Sequence, residues 1–181
     1  DQQSDQRRFE SLVDEISRYN ALGKYGRALD AAERALTLAQ DKFGPDHVNV
    51  GVASFWVGNL SMWMGDSSRT ESLLLSCLQI IEKNTASGDS TVGLVLRSLG
   101  NYYTEKGAFE KAESMFVKAM ERIESEPEIH QRALALVLGD FAEHYRNRRL
   151  HEKAEALYRR TIEIYETKLG KFEPELGVTL N

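Results

Sequence analysis

Few side chains in this sequence have types and spacings that could do covalent chemistry. His47, His130, His144 and His151 are scattered and lack the spacing of metal ligands: His47 falls in a connector, and His144 and His151 flank a turn. There is no glycine-rich phosphate loop, no H-E-x-x-H and no nucleophile elbow. The single cysteine, Cys77, can form no internal disulfide and fits a reducing, cytoplasmic setting. Asn59-Leu60-Ser61 is a formal glycosylation triplet, but it falls within a helix. No catalytic activity, metal or cofactor is therefore expected. What the chain offers is binding chemistry. The amides of Asn59 and Asn101, 42 residues apart, can both donate to and accept from a peptide backbone. The Arg97 guanidinium can hold a carboxylate through two bonds.

Composition narrows the class of partner. Over 181 residues, 41% are hydrophobic and 28% charged, with three prolines and little alternation, which suits a helix-rich protein rather than a sheet. The net charge is −5 and no basic run is long enough for a nucleic-acid footprint, so DNA and RNA are excluded as main partners. No apolar stretch approaches membrane-spanning length, so no membrane association is expected. A protein or peptide partner remains.

The elements that must position these groups are organised around Leu96–Ala119. Leu96, Leu99, Gly100 and Tyr103, then Gly107, Phe109, Ala112, Phe116 and Ala119, predict two helices that cross closely at Gly100 and Ala112 and turn at Gly107. The turn glycine recurs every 42 residues as Gly23, Gly65 and Gly107, and becomes Arg149. The small residue of the second helix recurs as Ala28, Thr70, Ala112 and Ala154. A second small column reads Ala35, Cys77, Ala119 and Thr161, and the unit starts read Gly51, Gly93, Ala135 and Gly177. The repeat boundaries are 9–50, 51–92, 93–134 and 135–176, with 177–181 beginning a fifth. With Asp1 rather than Met at the start, the sequence reads as part of a longer array.

This pattern resembles the tetratricopeptide repeat, with Leu96 in the place of its tryptophan. Lys42-Phe43-Gly44-Pro45-Asp46-His47, echoed by Lys168-Leu169-Gly170, looks like the connector of kinesin light chain-type repeats. The other connectors depart from it: Ala86-Ser87-Gly88-Asp89, and Ser125-Glu126-Pro127-Glu128, which reads as a capping box. The resemblance implies an all-α, right-handed superhelical solenoid of antiparallel helix pairs. A unit of 42 residues, against about 34 in the ordinary repeat, gives each helix about one extra turn.

Taken in order, Asp1–Gln6 is polar and expected to be loose, with the first helix starting near Arg7. The second helix spans about Tyr25 to Lys42 and stops at Gly44-Pro45. The second unit fits worst. Ser54 and Ser61 stand in its large apolar slots, while the bulk lies at Phe55, Trp56, Leu60, Met62 and Trp63. If that helix is rotated, Trp56 and Trp63 are core and the serines face out; otherwise Trp63 faces a groove. Ser68 with Glu71 is expected to cap the helix that follows.

The same resemblance implies a protein–protein interaction scaffold whose first helices line a concave groove that binds a partner peptide or helix. By its positions, the partner-binding residues are Phe55, Asn59, Met62 and Trp63 in the second unit, Arg97, Asn101 and Glu105 (with Leu94 and Thr104) in the third, and Arg146 (with Glu143 and Asn147) in the fourth. Only a fragment of the Lys–Asn–Asn–Lys–Arg carboxylate clamp of some relatives is present. Two other readings stay open. The array could regulate a larger multidomain enzyme or signalling protein, or it could self-associate through apolar array ends.

Overall fold

Apart from the helix Val48–Trp63, which is buried nearly all round, the helices of the computed structural model follow a 3- and 4-residue apolar spacing and place that stripe inward. The structure describes residues 1–84, 90–124 and 130–169. In chain order the elements are α1 (Gln2–Ala21), α2 (Tyr25–Phe43), α3 (Val48–Trp63), α4 (Thr70–Asn84), α5 (Ser90–Glu105), α6 (Phe109–Glu124), α7 (Gln131–Asn147) and α8 (His151–Ile164), which runs into a π-helical turn, Tyr165–Leu169. The described residues contain no strand. The chain divides into two compact units, Asp1–Thr85 and Ala86–Asn181. In the first, α1 packs on α2, α2 on α3 and α3 on α4. In the second, α5 packs on α6, both pack on α7, and α7 packs on α8.

One turn joins the two helices of each pair, and it is used four times. Gly23 N–H donates to the Asn20 carbonyl and Lys24 N–H to that of Tyr19; the same two bonds recur at Gly65 and Asp66, at Gly107 and Ala108, and at Arg149 and Leu150. This is the double bond of a Schellman helix stop, which needs a left-handed residue at its first donor. The glycines supply φ of +66°, +82° and +70°. Arg149 adopts the same conformation at φ +59°, so the last turn keeps the geometry without the glycine.

The crossings repeat as closely as the turns. A Cβ on Gly100 would sit 2.8 Å from Phe116 Cζ, and one on Gly93 would sit 2.5 Å from Ile123 Cγ1. One repeat earlier, a Cβ on Gly58 would sit 3.3 Å from Leu74, and one on Gly51 would sit 3.2 Å from Ile80 and 3.3 Å from Ile81. Small residues on α3 and α5 thus receive large ones from α4 and α6. At α7 the two positions are Ala135 and Ala142, both buried.

Several sequence expectations need correction. Residues 2–6 are helical rather than loose: the Asp1 side chain accepts from Gln3 N–H at the N-cap, and Gln6 Oε1 accepts from Asn49 Nδ2 of α3 at 2.9 Å. Ser68 does not begin α4. Its hydroxyl and N–H both donate to Asp66 Oδ1, and the helix starts at Thr70. The α3 helix is not rotated: Ser54 and Ser61 are buried, Trp56 is half-buried against the core, and Trp63 is exposed. At the α1–α2 edge, one cavity is lined by Arg8, Arg34, Lys42, Asp30, Glu33 and Asp41 around Leu12 and Leu38. The expected connector 86–89, the capping box 125–128, Gly170 and the opening of a fifth unit lie outside the described residues.

Candidate partner-binding faces

In the second unit, α5 and α7 are the first helices of successive pairs, and their shared face joins Arg97, Asn101 and Thr104 of α5 to α7. Arg97 Nε donates to Asp140 Oδ2 at 2.6 Å, and Asn101 Nδ2 donates to the same oxygen at 2.5 Å. Both side chains of the Arg97–Asp140 pair are mostly shielded from solvent, so water screens it less than it would a surface pair. Arg97 therefore reaches this face already holding a carboxylate, and that carboxylate belongs to α7.

Further along the same face, Thr104 Oγ1 lies 2.8 Å from His144 Nδ1 and 2.9 Å from the Gly100 carbonyl. The hydroxyl has one proton. If it goes to Gly100, Oγ1 accepts from an Nδ1–H of His144. The opposite assignment leaves His144 with a buried Nε2–H, and among the described residues no protein group reaches Nε2. An unmatched lone pair is more tolerable than an unmatched N–H, so His144 carries its proton on Nδ1. The ring is 1% exposed and lies among Phe109, Phe116, Phe141 and Tyr145. Burial, with Arg148 adding to it against Glu113, holds its pKa below the ordinary 6.5.

At the end of α7, Glu143 accepts from Arg146 Nε at 2.8 Å and from the Tyr158 hydroxyl. Burial works to raise the Glu143 carboxyl, but these bonds and the Arg146 charge hold it below the usual carboxylate range. Burial and the Glu143 bond push the Tyr158 phenol up to about 12, which keeps it a donor. Arg146 is exposed but paired, and Glu105 is exposed with Lys106 Nζ at 3.9 Å.

In the first unit, the four residues singled out on α3 separate. Asn59 and Met62 are buried, and the Asn59 amide donates to the Phe55 carbonyl of its own helix at 2.8 Å. Phe55 is half-buried, edge-on to Trp56 at 6.0 Å. Trp63 stands out, 51% exposed, with its ring 5.8 Å from that of Tyr25 at the start of α2. Leu22, in the α1–α2 turn, and Met64, beside Trp63 in sequence, are also exposed, at 60% and 53%. The turns that end α1 and α3 thus carry exposed apolar side chains, and the rings of Tyr25 and Trp63 meet there.

Sequence reasoning missed Asp140, Tyr25 and the enclosure of His144. The signal for the first was available: Asp140 lies 43 residues after Arg97 and 39 after Asn101, close to one repeat step from each. Among the described residues, no group of three or more His, Cys, Asp or Glu is placed to hold a metal ion, and no helix is long and apolar enough to cross a membrane.

Comparison with known proteins agrees with this geometry. A family model described as tetratricopeptide repeat matches residues 91–167, and a second with the same description matches 17–49. Together they cover more than half of the chain. No curated protein matches the sequence. Among solved structures, BtubC (BKLC) from P. vanneervenii is similar with a TM-score of 0.72 at 18% identity, over 87% of this chain and 63% of that one. The chain thus spans less than two thirds of that protein's length. The nearly identical TPR-like repeats of a Podosopora anserina kinesin light chain candidate also give 0.72, at 16% identity, over 95% of this chain and 82% of that one. At such identities the likeness is one of fold: all-α, built from tetratricopeptide-like helix pairs.

Proposed function

The chain belongs to the tetratricopeptide repeat family, whose repeats generally mediate protein–protein interactions, and we propose that it is a scaffold that holds a peptide or helix of a partner against its first helices. The observation that carries this reading is the exposed Trp63–Tyr25 pair with Leu22 and Met64 beside it. A tryptophan half in water, held by one ring contact, loses little when a partner covers it and gains most of its remaining apolar burial. Trp63 is the anchor in this reading, and Phe55, Asn59 and Met62 shape the helix that presents it. In the second unit, Asn101 and Arg97 act through Asp140 by setting the α5–α7 face. Glu105 and Arg146 are the exposed charges of that second-unit face, which offers a contact surface of its own. A non-catalytic role in the cytoplasm suits a chain whose single thiol, Cys77, is buried.

The test is selection of a random peptide display library against the full chain, followed by titration of the enriched peptides. The reading expects peptides that share a large apolar residue and whose affinity drops by about 30-fold or more in Trp63→Ala, equivalent to the 2 kcal/mol or more of an interface anchor. Because Trp63 makes one ring contact, this variant should melt like the wild type. Enriched peptides that bind Trp63→Ala and wild type alike would show that the partner uses another face.

A further inference from the structure

From the enclosure of His144 we infer that this residue is an acid-sensitive latch between α5 and α7, closed when its ring is neutral and opened when the ring takes a second proton. The inference is independent of which residues anchor a partner.

The latch follows from how few options the ring has. In the neutral form Nδ1–H donates to Thr104 Oγ1, whose own proton goes to the Gly100 carbonyl; this chain of two bonds ties α7 to α5. Nε2 is then a bare lone pair buried among aromatic rings. A second proton at Nε2 creates a donor with no acceptor in reach among the described residues and a full positive charge on a ring that is 1% exposed. A buried unmatched polar group is expensive, and a charged one more so. The ring cannot simply turn over. A flip would turn Cδ2–H rather than an N–H toward the Thr104 oxygen, so the bond to α5 would be lost.

The charges around the ring do not rescue the imidazolium. Arg148, in the turn after α7, opposes it, and Glu113 of α6 favours it. Glu113, however, is already shared: it accepts from the Tyr145 hydroxyl at 2.7 Å and from Arg148 Nη1 at 3.3 Å, with Lys153 Nζ of α8 at 4.0 Å. From α5 the ring is faced by the neutral Thr104, and among the described residues no charge of α5 or α8 acts on it. Protonation is therefore relieved by moving α7 away from Thr104 until water reaches Nε2. Asp140 lies one helical turn before His144 on α7, so the same movement disturbs its bonds to Arg97 and Asn101.

The direction with pH is determined. The unfolded chain takes up the histidine proton near 6.5, while the folded chain resists it to a lower pH. The stabilising effect is complete above about pH 6.5 and is lost as pH falls toward the folded value. Each unit of depression corresponds to a tenfold rise in the opening constant on the acid side.

The experiment uses the full chain with labelled histidine and follows the ring nuclei by NMR from pH 8 to 5. In parallel, amide hydrogen exchange is measured at pH 7.5 and 5.0 and corrected for the intrinsic rate. The His144 resonances are assigned by comparison with His144→Phe, which fills the aromatic box and leaves the Thr104–Gly100 bond in place. The latch requires His144 to titrate below 6.5 with the neutral Nδ1–H form above it, and α5 and α7 amides to lose at least tenfold of their protection at pH 5.0. In His144→Phe that loss should be absent. Titration at or above 6.5, unchanged protection of α5 and α7 in the wild type, or an equal loss in His144→Phe would each overturn the proposal. If His144→Phe does not fold, the wild-type titration and exchange decide alone.

Discussion

Gly100 of α5 lies directly beneath the Phe116 ring of α6, so close that a Cβ there would come within 2.8 to 3.0 Å of three ring carbons. Real Cβ atoms do not approach so closely, and Phe116 is fully buried with its other side stacked on Phe141 at 5.1 Å. The ring therefore has no direction in which to retreat. Gly100→Ala should cost about 1–3 kcal/mol by overpacking, although alanine is the better helix former. Gly139, in the interior of α7, is the control. Nothing lies within 4 Å of a Cβ there, so Gly139→Ala should stabilise by about 0.5–1 kcal/mol. Urea denaturation of the two variants reads both signs, and equal shifts would show that the α5–α6 crossing is looser than this.

The four equivalent turns make a second comparison. Gly107 holds φ +70° with open space around the site of a Cβ, so Gly107→Val tests backbone conformation without a clash. It should lose about 1–3 kcal/mol. Arg149 has the same left-handed backbone, which costs a residue with a Cβ about 1–2 kcal/mol. Arg149→Gly should recover part of this, up to about 1 kcal/mol after the added freedom of the unfolded chain is subtracted. Arg149→Ala exchanges one strained residue for another and should melt near the wild type. A lower melting temperature for Arg149→Gly would argue against the left-handed turn.

Asp140 carries the third prediction, because one oxygen, Oδ2, serves both Arg97 and Asn101. Asp140→Ala leaves a largely shielded guanidinium and an amide without their acceptor, which should cost about 1–3 kcal/mol. Arg97→Met removes the cation and keeps much of its apolar stem. A double-mutant cycle between the two should return a coupling of about 0.5–3 kcal/mol. A coupling of zero would mean that Arg97 is free to meet a partner's carboxylate.

The 42-residue step was legible because it is written in residue size: Gly58 and Leu74 meet in the same way as Gly100 and Phe116. It also sets the reach of the polar contacts. Bonds between successive first helices span 39 to 43 residues, from Gln6–Asn49 to Arg97–Asp140, and those tied to the second helices, Glu33–Arg69 and Glu124–Arg160, span 36. What periodicity could not say is which residue within that window is the partner, since one helical turn either way is equally near. It also could not show that the first pair reverses the size rule. There the buried Phe9 and Ile16 stand where α3 has Gly51 and Gly58, and Ala32 and Ala39 stand where α4 has Leu74 and Ile81. A large residue meets a small one in both pairs, but the helix that supplies the large one differs. Trp63 was ambiguous for a related reason. The α3 helix is buried on nearly every side, so hydrophobicity carries no phase and only the three-dimensional neighbours decide.

Cys77 gives a probe of the first unit that is independent of His144. It occupies the small-residue column of α4 at 1% exposure, and burial pushes its thiol up to about 12. Two barriers to alkylation therefore act in series. At pH 8 a thiol with such a pKa is about one part in ten thousand thiolate, against roughly a quarter for a thiol at the ordinary 8.5. The reagent, moreover, cannot reach a sulfur closed off by packed helices. Labelling by iodoacetamide must then pass through opening of the first unit, and its rate at pH 8 should lie at least about a thousandfold below that of the denatured chain. Sub-denaturing urea should raise that rate in proportion to the opening constant, while Gly100→Ala, in the second unit, should raise it only as far as the two units open together. The measurement is a mass-spectrometric time course with and without urea. A native rate within tenfold of the denatured one would place Cys77 at the surface and overturn the assignment of its column to the core.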